Sequence, residues 1–259
     1  MTTWDPARYL QFEDDRSRPF VDLVARVRSE PSTIVDLGCG PGHLTQVLRQ
    51  RWPDATIHGV DSSPEMIRQA VDQNDDARAT YELADVGGWE PAAEVDLVVS
   101  NALFQWVPDQ LDVIGRIAQR IADGGTFALQ VPRNYASPSH TLLRDIAAQT
   151  PFDTHTAGLT ADRGTDPMRY LELFSGLGFE VDLWETEYVH LLEGDDPVFA
   201  WVSGTGARPY LQALPDDLRP AFEAAYRSAL RDAYSQRSWG TAFPFRRTFV
   251  VARRTAALR

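Results

Sequence analysis

A chain of 259 residues, 43% of them hydrophobic, is long enough for one large α/β domain with an inserted lobe. Folding at that size buries about 75% of the unfolded surface, so no staple is required, and the single cysteine rules out a disulfide within the chain and a cysteine-rich metal site. A net charge of −12 argues against nucleic acid as a partner, and the lack of an N-terminal apolar segment or a run of about 18 apolar residues leads to the expectation of a cytoplasmic protein with no membrane span and no metal.

Ser17 is placed to cap a helix over 17–30, with Phe20, Leu23, Val24 and Val27 on one stripe. A strand covers 33–37, and a helix over 44–51 stops before Pro53. The second strand, 56–60, ends at Asp61. The Ser62-Ser63 turn then caps a helix reaching Ala70, with Pro64 at its first position. A third strand near 80–83 leads to Asp85, and 95–100 reads as a buried fourth strand. Leu111, Ile114, Ile117, Ala118 and Ile121 give a helix over 109–122, expected to stop at Gly124-Gly125 before a fifth strand at 126–131. This alternation is the doubly wound pattern. Beyond Pro132 the rhythm changes: helices with irregular links over 138–178, a long strand 179–192, helices again over 195–240, and a last strand at 247–252.

The chemistry concentrates at Val35-Asp-Leu-Gly-Cys-Gly-Pro-Gly42 together with Asp61. Glycines 38, 40 and 42 let backbone N–H groups approach a ligand, and an acid about 20 positions on, at the tip of the second strand, is where a ribose diol is held. The spacing is G-x-G-x-G, not the dinucleotide G-x-G-x-x-G, and Asp36 beside the loop would repel a diphosphate and favour a cationic ligand. Cys39 inside the loop reads as a small packing residue. A purely structural glycine turn is the alternative.

This acid followed by G-x-G-x-G resembles the first motif of class I S-adenosylmethionine-dependent methyltransferases. S-adenosylmethionine has ribose and adenine, no phosphate, and a sulfonium and an ammonium. The resemblance implies an α/β, Rossmann-like class I methyltransferase fold: a seven-stranded, mostly parallel sheet with an antiparallel last strand and a helical lid. The core would be 31–132, 179–194 and 244–259. An N-terminal flap, 1–30, would close over the cofactor, and 133–178 with 195–243 would form the lid. Cofactor contacts are implied for Asp36, Gly38, Gly40, Gly42, Asp61, Ser62, Met66, Asp85, Val86, Asn101 and Ala102. Asp85 would receive the adenine amino group, Met66 would lie against the adenine, and the backbone of Ser100-Asn101-Ala102 would face the methionine part. Asp85 as a plain loop acid and Met66 as helix core stay open.

Other segments are more specific. Tyr9-Leu-Gln-Phe12 with Arg16 and Arg18, Phe104-Gln105-Trp106, Pro138-Ser-His140, Gly204-Thr-Gly-Ala-Arg208-Pro-Tyr210 and Phe245-Arg246-Arg247 resemble trans-aconitate 2-methyltransferases, in the same order along nearly the whole chain. That family implies esterification of a tricarboxylate, with S-adenosylhomocysteine as the other product. Every one of the 25 basic side chains is Arg, so only Arg set among apolar or aromatic residues speaks for anion binding. Substrate contacts are expected from Arg208, Tyr210, Arg247, Arg246, Trp106, Gln105, His140, Arg16 and Tyr9. Alternation along the strand sends Arg246 and Arg247 to opposite faces, and the family pattern favours Arg247. A carboxylate is already ionised at neutral pH, so no acid–base residue is nominated; Trp106 and His140 are the nearest candidates. A methyltransferase for another small di- or tricarboxylic acid and a non-catalytic cofactor-binding protein are the alternatives. The oligomeric state is not legible.

Overall fold

Apolar strands that must bury both faces stack side by side, and helices cover them. In the computed structural model, which describes residues 17–159 and 165–255, the strands are β1 (Thr33–Leu37), β2 (Thr56–Asp61), β3 (Ala79–Leu83), β4 (Val95–Asn101), β5 (Ile121–Pro132), β6 (Phe179–Leu192) and β7 (Thr241–Arg254). They form a seven-stranded sheet in the order β3-β2-β1-β4-β5-β7-β6. β1 runs parallel to both β2 and β4, β3 parallel to β2, and β5 parallel to β4, while β6 and β7 are antiparallel. The order reverses between β1 and β4, the switch point where open α/β sheets bind ligands. Tyr9, Arg16 and the flap residues before Ser17 lie outside the described residues.

The helices are α1 (Arg18–Ala25), α2 (Thr45–Arg51), α3 (Pro64–Asp72), α4 (Gln110–Ala118), α5 (Pro138–Ala147), α6 (Asp153–Thr156), α7 (Pro167–Gly176), α8 (Pro197–Ser203), α9 (Arg208–Ala213) and α10 (Arg219–Ala233). Two compact units divide the chain: 1–132 with 165–185 and 248–259, and 133–164 with 186–247. The first unit's core gathers Leu37, Val98, Ile114, Ile117, Phe127, Leu129 and Phe174. The second unit's core gathers Leu143, Phe199, Val202, Phe222, Tyr226, Phe243 and Phe245. No helix among the described residues is long and apolar enough to cross a membrane.

Four boundaries differ from the sequence expectation. α1 stops at Ala25, yet Val27 stays buried, and the Arg51 guanidinium donates to the Val27 carbonyl at 2.5 Å. Ser17 caps this helix with its carbonyl, which accepts from Phe20 and Val21, and not with its hydroxyl. α4 ends at Ala118, because Ile121 already pairs with Val95 as the first residue of β5. A buried isoleucine satisfies a helical stripe and a sheet equally, so periodicity alone misassigned it. β7 begins at Thr241, and its early residues Phe243 and Phe245 belong to the second unit's core. Residues 165–178, expected in the lid, pack with the first unit: Tyr170 and Phe174 join its core, and the Tyr170 hydroxyl donates to Gln110 Oε1 at 2.5 Å.

Candidate active site

β1 carries the acid of the glycine motif into the middle of the sheet, where Asp36 lies between Gly59 of β2 and Val99 of β4. The chain then turns away over Gly38, whose N–H donates to the Val60 carbonyl at 2.8 Å. The loop closes on Asp61. One of its carboxylate oxygens accepts the Gly40 N–H at 3.0 Å and the other accepts the Ser63 N–H at 2.9 Å. Asp61 thus ties the glycine loop to the start of α3, where Ser63 accepts from the Met66 N–H and Pro64 occupies the first turn. Each oxygen has accepted one N–H and retains acceptor capacity.

Gly40 has φ +57° and open space where a Cβ would stand, so no side chain screens the loop at this point. Gly42 is constrained differently: φ is +79°, and a Cβ would sit 2.7 Å from the Tyr81 hydroxyl. That hydroxyl donates to Thr45 Oγ1 at 3.0 Å, fixing the first turn of α2. Gly42→Ala is therefore expected to destabilise the fold by about 1–3 kcal/mol. Gly88, with open space and no positive φ, is the control. Denaturant midpoints of Gly42→Ala and Gly88→Ala compared with the parent check this; equal midpoints would refute the contact.

Asp36 is only 2% exposed, and its Oδ2 has no hydrogen-bond partner among the described residues. Burial, then the neighbouring Asp61 charge, push its carboxyl up to about 7. The same burial raises the Cys39 thiol, with Asp36 and Asp61 adding to it, which disqualifies Cys39 as a thiolate nucleophile. A cation placed beside Asp36 would hold it ionised.

At the end of β4, Ala102 adopts φ +56°, a left-handed conformation that costs a non-glycine residue about 1–2 kcal/mol. Three groups hold it there. The Ala102 N–H donates to the Gln130 carbonyl at 3.0 Å, Gln105 Nε2 donates to the Ala102 carbonyl at 2.6 Å, and the Gln130 side chain donates to Asn101 Oδ1. Gln130, buried in β5, was missed from the sequence. Its signal is a lone carboxamide in the apolar run Phe127-Ala-Leu-Gln-Val131.

The other expected cofactor residues also fall in the first unit. Asp85 is exposed, with Oδ1 accepting the Gly87 N–H at 2.8 Å. Val86 is buried in the core, so only its backbone is available to a ligand. Ser62 and Met66 are exposed; at 37% exposure Met66 is not helix core.

The expected substrate residues divide between the units. Gln105 and Trp106 lie in the short 3-10 turn after β4, with Trp106 exposed. In the second unit, Arg208 is exposed at the first residue of α9. His140, from the first turn of α5, abuts the same loop: a Cβ on Gly206 would sit 3.0 Å from its Nε2. The His140 ring also meets Tyr135 edge-on at 5.7 Å. Tyr210 is buried in the second core, and its hydroxyl donates to the Leu159 carbonyl at 2.5 Å. Arg247 is 7% exposed, with its guanidinium 4.7 Å from the Phe245 ring centre, whereas Arg246 is exposed.

The fold, with its loop and acid at the switch point, is that of a class I methyltransferase. A family model described as a methyltransferase domain matches residues 9–182. Solved structures agree on the fold. An S-adenosylmethionine-dependent methyltransferase from Mesorhizobium loti gives a TM-score of 0.53 at 20% identity, covering 92% of this chain and 98% of that one. The plantazolicin methyltransferase BpumL gives 0.53 at 11% identity, covering 96% and 89%. Closer in sequence are proteins named trans-aconitate 2-methyltransferase. The one from Streptomyces avermitilis is 46% identical, covering 98% of both chains, and the one from Azoarcus sp. is 42% identical, covering 97% of this chain and 99% of that one. The chain belongs to the trans-aconitate 2-methyltransferase family.

Proposed function

We propose that the protein transfers a methyl group from S-adenosylmethionine to a carboxylate of trans-aconitate, forming the monomethyl ester. The glycine loop is common to many methyltransferases, so the observation that carries this reading is the extent of the likeness. Relatives bearing that name match at 42–46% identity over 96–98% of the chain, through both units and well beyond the loop.

The residues present suit the donor. Asp61 offers two partly used carboxylate oxygens to a ribose diol, Gly40 puts no side chain in the way of a ligand, and Asp36 is a buried acid that a cation would hold ionised. Met66 and Asp85 are exposed, as contacts to an adenine would need, and hydrogen bonds fix the Asn101-Ala102 backbone, which suits it to meet the methionine end. Bound S-adenosylmethionine supplies a methyl group made electrophilic by its sulfonium. The chain's own task is alignment and removal of water, which in favourable cases lowers a barrier by roughly 7–11 kcal/mol. No general base is needed, because the acid's carboxylate is already ionised. Arg247 and Arg208 hold the acid; guanidinium binds carboxylate through two parallel N–H bonds.

Two measurements test the reading. Arg208→Ala and Arg247→Ala are each expected to raise KM for trans-aconitate by about tenfold or more, consistent with a lost charged hydrogen bond of about 1.5–3 kcal/mol, while cofactor affinity stays unchanged. Lysine at either position is expected to rescue only part, since it lacks the fork. Parental kcat/KM in either alanine variant removes that arginine from the clamp. Rates across trans-aconitate, cis-aconitate, citrate and isocitrate, with mass spectrometry of the ester, are expected to favour trans-aconitate, whose planar alkene fixes the carboxylate spacing. Equal kcat/KM for citrate would reduce the assignment to a general carboxylate methyltransferase.

A further inference from the structure

Arg246 and Arg247 are neighbours on β7, so strand alternation sends them to opposite faces. Arg247 shares its face with Phe243 and Phe245. Arg246 lines a cavity of about 650 Å³ that lies wholly within the second unit. Arg133 and Arg237 line the same cavity, and Glu187 is the one acid lining it among the described residues. This is a local excess of positive charge in a chain whose net charge is −12.

Glu187 meets Arg246 at 3.5 Å, but the two side chains are about half exposed, and such pairs contribute weakly. Arg237 has no ion-pair partner among the described residues. Two further donors belong to the cavity lining. Asn134, 3% exposed, accepts the Arg246 N–H at 2.7 Å through Oδ1, and its Nδ2 is buried with no hydrogen-bond partner among the described residues. The Tyr234 hydroxyl accepts the Ser139 N–H at 3.0 Å and keeps its own proton to donate.

The cavity also has a flat apolar edge. Arg237 and Gly240 close a two-residue turn with N–H to carbonyl bonds of 2.9 and 3.1 Å. Gly240 has φ +111°, and a Cβ there would stand 2.9 Å from the Leu192 carbonyl oxygen, so the turn is fixed against the end of β6. Trp239 at its tip is 56% exposed. Folding alone does not account for an indole held in the open on a cavity that arginines line.

We propose that this cavity binds a planar organic anion carrying two or more negative charges, its carboxylate or phosphate groups held by Arg237 and Arg246 and its flat face resting on Trp239. The site is distinct from the Arg247 face assigned to the acid that is methylated, and its existence does not depend on that assignment. Donors outnumber acceptors among its side chains, which selects an acceptor-rich ligand. Its volume falls within the ordinary range for small-molecule sites, about 300–1,000 Å³.

The test is calorimetric titration of the full chain, without methyl donor or acid substrate, using trimesate as the planar carboxylate probe and phenyl phosphate as the planar phosphate probe. Saturable one-to-one binding of either probe with Kd below about 1 mM is expected; which probe binds identifies the anion class. Arg237→Gln and Trp239→Ala are each expected to weaken it at least about tenfold. Both should leave the thermal midpoint and kcat/KM for trans-aconitate at parental values, and Arg237→Lys should recover part of the affinity. No saturable heat from either probe, binding unchanged in both variants, or full displacement of the probe by trans-aconitate would each overturn the proposal.

Discussion

Asp61→Ala is expected to weaken binding of S-adenosylhomocysteine by about 10²- to 10⁴-fold, the equivalent of two charge-assisted hydrogen bonds at about 1.5–3 kcal/mol each. The effect is large because the carboxylate works twice. Toward a ligand it offers its remaining lone pairs to the ribose diol. Toward the protein it accepts the Gly40 and Ser63 N–H groups, so its removal frees the glycine loop from α3 as well. Asp61→Asn keeps one acceptor oxygen but turns an NH₂ toward one of those N–H groups, and is expected to fall between parent and Asp61→Ala. Calorimetry with S-adenosylhomocysteine, alongside a thermal melt of each variant, measures this. A folded Asp61→Ala protein with the parental Kd would take Asp61 out of the site.

The second large effect is on pH dependence through Asp36. Its folded-state value is raised from 3.8 to about 7, by burial first and by the Asp61 charge second. An acid whose folded value lies above its unfolded one contributes stability that is full below the unfolded value and is lost as pH rises through the folded one. For Asp36 the window runs from about pH 4 to about pH 7, and the full cost of ionising it in the unliganded fold is about 4 kcal/mol. Asp36→Asn has no charge to bury. It is expected to be more stable than the parent at pH 8 and to lose that advantage below pH 5. Cofactor binding should move the other way, because an ammonium or sulfonium beside Asp36 favours the ionised carboxylate. Near neutral pH, binding to the parent is expected to release a proton from Asp36, and affinity to rise with pH through about 7. Titrations in two buffers of different ionisation enthalpy report that proton. If Asp36→Asn releases as many protons as the parent, Asp36 does not face the cation.

The glycine turn and its tie to Asp61 were legible because their geometry is local in sequence. Three glycines in five residues and an acid at the next strand tip are set by backbone reach, and Asp61 meets Gly40 across 21 positions. The surroundings of the residues proposed to hold the acid were less legible. Tyr210 followed the family pattern beside Arg208, yet an amphipathic ring is as readily a core residue, and its hydroxyl closes on Leu159. Gln130 was overlooked because strand patterning treats a single polar residue in an apolar run as an interruption, whereas here it supports Asn101 and Ala102.

What the sequence determined by itself is whatever rests on short-range geometry and alternation: the strand-and-helix order of residues 17–132, the glycine turn with its two acids, and the opposite facing of Arg246 and Arg247. Tertiary structure alone decided which elements pack together and which polar groups lose water. It ended α4 at Ala118 by pairing Ile121 with Val95, and it drew 165–178 into the first unit through Tyr170 and Phe174. It also raised Asp36 to about 7 by burying it. Burial, register and desolvation are sums over residues distant in the chain, and no local pattern of residue types encodes them.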